Sequence, residues 1–115
     1  MKTIRHDNLW WWGKSSTFIL DNGMGMVELS ITDERTDAGC IQSLIVHESL
    51  RQRGIANGLL KVAEEHARKL CCEQVYLEAR KGTFLIPWYE RLGYKIYDEN
   101  PEDSKGNTVL MNKFL

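Results

Sequence analysis

The sequence predicts a mixed α/β fold with one continuous sheet and two main helices. Two observations favour it. Apolar and β-branched runs separated by turn residues occupy the first 46 residues, and a helical repeat then alternates with further short strand patterns. No internal repeat or linker interrupts the 115 residues, and 43% of them are hydrophobic, as in an ordinary globular domain. We therefore expect residues 1–115 to form a single domain.

The first half of the chain indicates an antiparallel meander. We predict strands over Lys2–His6, Thr17–Leu20, Met24–Thr32 and Cys40–Val46. Asp21-Asn22-Gly23 is a hairpin-turn signal, and the last of these strands is mostly apolar, so we expect it near the centre of the sheet. Within Leu9–Trp12, three consecutive tryptophans cannot all lie on one face of a strand. At least one of Trp10–Trp12 must therefore face solvent, a groove or a partner.

The second half alternates helices with strands. The apolar residues Ile55, Leu59, Ala63, Ala67 and Leu70 repeat at steps of three and four, which predicts an amphipathic helix. Its polar face includes Glu64 and Glu65, each four residues before a basic residue. We then predict a strand over Gln74–Ala79, a short helix through Trp88, Tyr89 and Leu92, and strands over Tyr94–Tyr97 and Thr108–Leu115.

Charge and cysteine content exclude several classes of protein. The 15 basic and 16 acidic residues give a net charge of −1, which argues against a nucleic-acid surface. No apolar run approaches the ~20 residues that span a bilayer, and no signal peptide is evident, so we expect a cytoplasmic protein without a membrane partner. Cys40, Cys71 and Cys72 are an odd number of cysteines, so no complete disulfide framework is expected, and the histidines lie at no metal-ligand spacing. We expect reduced thiols and no metal.

The segment Leu44–Leu60 contains the strongest functional signal. A buried strand leads into a loop of arginines and small residues, and that loop opens a helix. Gly54, Ala56 and Gly58 let a ligand approach the backbone, and the free N–H groups of the first helical turn suit a pyrophosphate. Neither the P-loop nor the GxGxxG dinucleotide fingerprint is present. The segment therefore predicts a phosphate cradle of another kind.

A second interpretation of this segment is a capped helix. Ser49-Leu-Arg-Gln52 fits a capping box, which would start the helix at Leu50 and place Gly54 inside it. An interior glycine costs roughly 1 kcal/mol, and this interpretation gives no role to Arg51 or Arg53.

Two motifs in this sequence resemble those of a known family. Arg51-Gln-Arg-Gly54-Ile-Ala56 fits Gln/Arg-x-x-Gly-x-Gly/Ala, and Pro87-Trp-Tyr89-Glu-Arg-Leu-Gly93-Tyr94 is similar to Pro-Phe-Tyr-Glu-Lys-Leu-Gly-Phe. Both patterns are typical of the GNAT N-acetyltransferase superfamily, and Leu44–His47 looks like its cofactor-binding strand. The resemblance covers roughly residues 17–115, with both motifs in the expected order.

The resemblance implies an acetyl-CoA site. In the family, amides at the positions of Gln52–Asn57 hold the CoA pyrophosphate, and the strand at Leu44–Val46 pairs with the pantetheine arm. That strand splays from the next one, here Gln74–Ala79, and the thioester lies in the resulting V. The implied cofactor-binding residues are Leu44, Ile45, Val46, Arg51, Gln52, Arg53, Gly54, Ile55, Ala56 and Asn57. The resemblance also implies that an acceptor amine attacks the thioester directly, without a covalent enzyme intermediate.

Two residues are candidates for the proton transfers. Tyr89 matches the family tyrosine near the CoA sulfur, and a phenol with an ordinary pKa near 10 can donate to the departing thiolate. The alternative is an aromatic ring that only packs the short helix on the sheet. Glu78 matches a position where some members have a general base, which would deprotonate the acceptor ammonium through water. The alternative is a solvated charge near a strand end.

Other residues near these motifs are less suited to chemistry. His47 follows the cofactor strand, where the family often has a histidine without a catalytic duty. Cys71 and Cys72 occupy a turn where family members often have glycine, and no histidine base can be placed beside them. Pro87 is expected to delay or kink the last helix.

The chain also departs from the family. The resemblance implies two helices between the first and second strands, and the sixteen residues before Thr17 cannot supply both. The acceptor site must therefore be more open, be built from Trp10–Trp12, or be completed by a second subunit. A homodimer through the tryptophan run or through Thr108–Leu115 stays open.

The function that these features favour is acetyl transfer to a primary amine of a small molecule or a peptide. The loop Asp98–Asp103 contains four carboxylates, which would suit a cationic acceptor, although such a loop is usually only solvated. Two alternatives are a non-catalytic acyl-CoA-binding or protein-interaction module on a shortened fold, and a purely structural domain.

Overall fold

The fold is organised around one seven-stranded sheet with the strand order β1-β2-β3-β4-β5-β7-β6. The structure, a computed structural model, describes residues 1–102 and 104–115. Its strands are β1 (Thr3–Trp10), β2 (Gly13–Leu20), β3 (Gly25–Thr32), β4 (Ala38–Val46), β5 (Gln74–Arg80), β6 (Lys95–Asp98) and β7 (Thr108–Phe114), and its helices are α1 (Ile55–Lys69) and α2 (Leu85–Arg91). Among the strand pairs of these described residues, only β4–β5 is parallel. The predicted mixed, mostly antiparallel sheet with two main helices is therefore confirmed.

The N-terminal hairpin is longer than the sequence indicated. β1 and β2 pair without interruption from Thr3 opposite Leu20 to Trp10 opposite Gly13, and the aromatic run forms the end of β1 and the turn. Gly13 is required where β2 begins, because a Cβ there would lie 2.1 Å from the carbonyl oxygen of Ile31. The chain thus passes directly between its first two strands with no helix between them.

The core lies between one face of the sheet and the two helices. Val75, Leu77 and Ala79 share that face, as predicted, and are buried together with the inward residues of β3. The apolar stripe of α1 packs on them. α2 lies on the same face, since the ring of its Tyr89 contacts Tyr94, whose hydroxyl group reaches α1.

The prediction that Glu64 and Glu65 both lie on the solvated face of α1 is wrong for Glu64. Glu65 pairs with Arg68 at the surface (3.0 Å). The Glu64 side chain is buried, where it accepts a hydrogen bond from the Tyr94 hydroxyl (2.7 Å) and pairs with Lys113 Nζ (3.1 Å). The core can accept this carboxylate because a cation and a hydroxyl donor from distant parts of the chain satisfy it.

The two central parallel strands separate along their length. β4 and β5 pair only where Ala38–Cys40 faces Gln74–Tyr76, although both strands continue beyond these residues. β4 also contains a bulge, since its register with β3 shifts between Met26 and Glu28 and Ser43 has a positive φ of 53°. A bulge bends the strand that contains it, which helps β4 to diverge from β5. The V-shaped splay expected from the resemblance is present.

The other face of the sheet is covered by neither helix. Trp10 lies on this face, where its indole nitrogen donates to Ser15 Oγ (2.9 Å) and its ring stacks on Trp12 at 6.0 Å. Trp11 points into solvent, in agreement with the alternation argument. In the described part of the chain, no helix has the length and apolarity needed to cross a membrane.

Candidate active site

The predicted cradle is a sharply turned loop in front of α1. A short 3₁₀ turn over Glu48–Leu50 follows β4, and His47 caps it, since His47 Nδ1 accepts a hydrogen bond from the Ser49 amide (3.2 Å). Arg51 Nε then donates to the Val46 carbonyl (3.2 Å), which ties the loop to the strand. His47 thus has the structural role expected for it.

Gly54 decides between the two interpretations of this segment. It has a φ of +75°, lies outside the helix as its N-cap residue, and α1 begins at Ile55. The capping-box interpretation, with Gly54 inside a helix that starts at Leu50, is therefore wrong. A Cβ at Gly54 would meet no atom within 4 Å, so the space above it is open to a ligand. The amides of Ile55, Ala56 and Asn57 form the first turn and have no acceptor within the helix.

A groove of about 830 Å³ connects this cradle with the opening of the sheet and with α2. Nine of the ten predicted cofactor-binding residues line it: Leu44, Ile45, Val46, Arg51, Gln52, Gly54, Ile55, Ala56 and Asn57. Arg53 is exposed and does not line the groove. The opposite wall contains Phe84, Leu85, Trp88 and Tyr89, of which the sequence singled out only the last for a role. Beyond Cys40, β4 has no pairing with β5, so its backbone is available there to a ligand.

Tyr89 forms part of the groove wall. It is 7% exposed, and its ring has edge contacts with Trp88 (5.0 Å between centroids) and Tyr94 (5.6 Å). Burial raises the pKa of its hydroxyl group, so the phenol keeps its proton at neutral pH. α2 starts at Leu85, so Pro87 lies in the first helical turn, where proline is tolerated, and it does not delay the helix as expected.

Glu78 lies on the opposite side of the sheet from Tyr89. It points away from the core face of β5, is exposed, and accepts a hydrogen bond from Thr108 Oγ1 of β7. Its position is two residues beyond Tyr76, where the β4–β5 pairing ends. The structure therefore places the two predicted catalytic residues on different faces, with the splay between them.

The family model for the acetyltransferase (GNAT) family matches residues 2–94. The chain belongs to this family. Curated relatives include the acetyltransferase Atu2258 of Agrobacterium fabrum, which is 38% identical over 74 residues, and a chloroplastic GCN5-related N-acetyltransferase 6 of Arabidopsis thaliana, 31% identical over 77 residues. These alignments cover 64% and 66% of this chain but 53% and 27% of the relatives. The chain thus spans about half or less of the curated relatives it matches.

Solved GNAT structures share the fold. A GNAT family acetyltransferase from Elizabethkingia anophelis, solved with acetyl-CoA bound, has a TM-score of 0.74 at 19% identity and covers 90% of this chain and 76% of its own. A putative acyl-CoA N-acyltransferase from Klebsiella pneumoniae has a TM-score of 0.73 at 22% identity, and the match covers 89% of this chain and 72% of the other chain. At these identities the likeness is one of fold.

Apart from Glu78, the sequence did not single out the polar side chains that surround the splay of this GNAT chain on its helix-free face. Cys40 and Tyr76 form the last residue pair before β4 and β5 separate. Burial raises the pKa of the Cys40 thiol to about 11 and that of the Tyr76 hydroxyl to about 12, so both are uncharged at neutral pH. Glu28 of β3 lies on the same face and accepts hydrogen bonds from Thr17 (3.5 Å) and Ser30 (3.4 Å).

Carboxylate groups from two strands lie near the Cys40 thiol. Glu28 and Glu78 are both close enough to Cys40 to raise its pKa further, so they flank the splay on this face. The alternation of side chains along β3 could have predicted that Glu28 points away from the core. Its proximity to Glu78 depends on the strand order, which the alternation does not reveal.

The acidic loop of this GNAT chain is only partly described. Asp98 ends β6 and accepts a hydrogen bond from the Asn100 amide (2.9 Å), whereas Asp103 lies outside the described residues. Among residues 1–102 and 104–115, no three His, Cys, Asp or Glu side chains lie together as a metal site would require.

Proposed function

We propose that this chain transfers the acetyl group of acetyl-CoA to a primary amine by direct attack. One observation supports this most. A single groove contains the free amides of the first turn of α1, the part of β4 that does not pair with β5, and the Tyr89 side chain. Membership of the GNAT family is consistent with that use of the groove. The acceptor is a small-molecule or peptide amine.

The cradle fits the diphosphate of CoA through its backbone. The amides of Ile55, Ala56 and Asn57 and the positive end of the α1 dipole suit an anion, and the missing side chain of Gly54 leaves room for it. The guanidinium of Arg51 lines the same groove and adds positive charge. Leu44 and Trp88 provide apolar surface for the rest of the arm.

Tyr89 supplies the proton for the leaving group. When bound, acetyl-CoA provides a thioester carbonyl carbon that an amine can attack. The new C–N bond forms as the C–S bond breaks, and the sulfur leaves as a thiolate that accepts the Tyr89 proton. The amide nitrogen gives up its surplus proton to the resulting tyrosinate, directly or through water. Because burial raises the pKa of Tyr89, the proton is present at neutral pH.

The acceptor approaches from the helix-free face. We assign to Glu78, which accepts a hydrogen bond from Thr108, the removal of a proton from the acceptor ammonium, directly or through one water molecule. Glu28 adds a second negative charge beside the splay, which favours a cationic amine over a neutral or anionic one. This division puts the acyl donor on the helix-covered face and the acceptor on the other.

The first test uses calorimetry to measure the binding of acetyl-CoA to the wild type, to Gly54→Glu and to Gly23→Glu. Gly23 is a matched control because its φ is also +75° and a Cβ there also meets no atom within 4 Å. Both substitutions therefore carry the same backbone strain, but only Gly54→Glu adds a carboxylate to the cradle. We expect Gly54→Glu to weaken binding by about a hundredfold or more and Gly23→Glu to leave it unchanged, a difference of roughly 3 kcal/mol.

Two results would contradict the proposal. If the wild type does not bind acetyl-CoA, or if both variants bind it equally, the groove is not its site. If binding is normal but no amine in a broad screen releases free CoA, a non-catalytic acyl-CoA-binding module is the better description. The uncovered sheet face and the exposed tryptophans are the features that favour this second function.

A further inference from the structure

The N-terminal hairpin exposes four large apolar side chains. Leu9 is 90% exposed and Trp11 is 92% exposed, and Ile4 and Trp10 are each about half exposed. These four side chains lie in β1 or in the turn that follows it. Concentrated exposure of large apolar residues is typical of an interaction surface.

The backbone of the same strand is also unpaired on one side. β1 is at the edge of the sheet, and within residues 1–102 and 104–115 only β2 pairs with it. It has eight residues, whereas β6 at the other edge has four. A long, open edge is a template for pairing with another strand. The last strand, considered above as a dimer edge, lies between β5 and β6 and does not offer one.

We propose that β1 pairs antiparallel with β1 of a second copy of this chain, with His6 opposite His6 at the two-fold axis. The sheets of the two copies would then form one continuous sheet across the interface. This register places Arg5 opposite Asp7 of the second copy, and Asp7 opposite Arg5. The overlap runs from Thr3 to Leu9, so it also covers parts of Ile4 and Leu9.

The charges select this register and this partner. In an antiparallel pair, opposite residues direct their backbone groups either both toward the partner strand or both away from it, so registers change in steps of two residues. A centre at Arg5 would place two arginines opposite each other, and a centre at Asp7 would place two aspartates opposite each other, which is unfavourable. Only the centre at His6 places opposite charges together. Arg5 and Asp7 lie on the same face of β1, 3.3 Å apart in one copy and about half exposed, so both remain accessible to the second copy.

The test measures the monomer–dimer equilibrium by sedimentation velocity over a range of concentrations. We compare the wild type with Arg5→Asp, Asp7→Arg and the control Asp21→Arg, which makes the same charge change in the exposed turn after β2. We expect Arg5→Asp and Asp7→Arg each to raise the dimer dissociation constant by about tenfold or more, because two attractive pairs become repulsive. The Asp21→Arg protein should match the wild type.

Mixing the two edge variants gives the decisive result. The Arg5→Asp variant has aspartate at both positions 5 and 7, and the Asp7→Arg variant has arginine at both. A heterodimer of the two therefore restores both attractive pairs. We expect the mixture to regain wild-type association. Circular dichroism of each variant checks that it is folded, since Asp7 also accepts a hydrogen bond from Ser16 (2.8 Å). A monomeric wild type at several hundred micromolar, a dimer insensitive to both reversals, or a mixture without recovery would overturn the proposal.

Discussion

The two faces of the sheet differ in how they are built. The helix-covered face has a continuous core and ends in a groove whose cradle comes from one stretch of chain, residues 44–57. On the helix-free face, the polar side chains around the splay come from β3, β4 and β5, and the described chain places no helix above them. Under the proposed function, donor recognition would depend on local backbone geometry, whereas acceptor recognition would depend on the tertiary arrangement of three strands.

The largest effect is expected from Tyr89→Phe on the helix-covered face. Loss of the proton donor should lower kcat by about a hundredfold and leave the affinity for acetyl-CoA unchanged, because the ring still packs in the groove wall. Since burial raises the Tyr89 pKa, the wild type should not lose activity through this group until the pH exceeds 10. Steady-state kinetics against pH check both points.

Tyr97→Phe is the matched control for that variant, because it removes the hydroxyl group of a half-exposed tyrosine that does not line the groove. Its kcat should stay close to that of the wild type. Equal losses in the two variants would contradict the role proposed for Tyr89.

A second effect concerns the stability of the covered face. Lys113→Met removes the cation beside the buried Glu64 carboxylate and should cost about 2 kcal/mol, below the usual figure for a fully buried pair because Lys113 is partly exposed. Urea unfolding measures the loss, and Lys95→Met in the exposed strand β6 is the control. Combining Lys113→Met with Glu64→Gln should recover much of the stability. An unaltered midpoint in Lys113→Met would show that the pair does not support the core.

A third effect tests the helix-free face. Glu78→Gln should lower kcat/KM for the amine by about tenfold near neutral pH, where the acceptor is an ammonium ion that must lose a proton. The loss should shrink as the pH approaches the acceptor's own pKa, because the neutral amine needs no base. A pH profile distinguishes this role from a structural one, which would give a loss independent of pH. Glu28→Gln should raise KM for a cationic amine without this pH dependence.

The sequence allowed accurate prediction where structure depends on near neighbours. The first turn of a helix and the glycine in front of it are local features, so the cradle around Gly54 and most of its groove could be predicted. The burial of Glu64 could not, since its partner Lys113 is 49 residues away. The polar side chains around the splay depend on strand order and on the bulge at Ser43, neither of which a strand pattern reveals.

The smallest effect lies away from both faces and tests whether stability can change without function. Cys71 follows α1 with a φ of +64°, and its amide donates to the Arg68 carbonyl (2.9 Å) in the manner of a helix C-terminal cap that favours glycine. Cys71→Gly should therefore stabilise the fold by about 0.5–1 kcal/mol and leave acetyl-CoA binding unchanged, since this turn is at the opposite end of α1 from the cradle. Thermal unfolding in reducing buffer measures this gain in stability. Lys61→Gly, in the exposed middle of α1, should instead cost about 1 kcal/mol, so a shift of the same sign in both variants would mean that the Cys71 backbone is not strained.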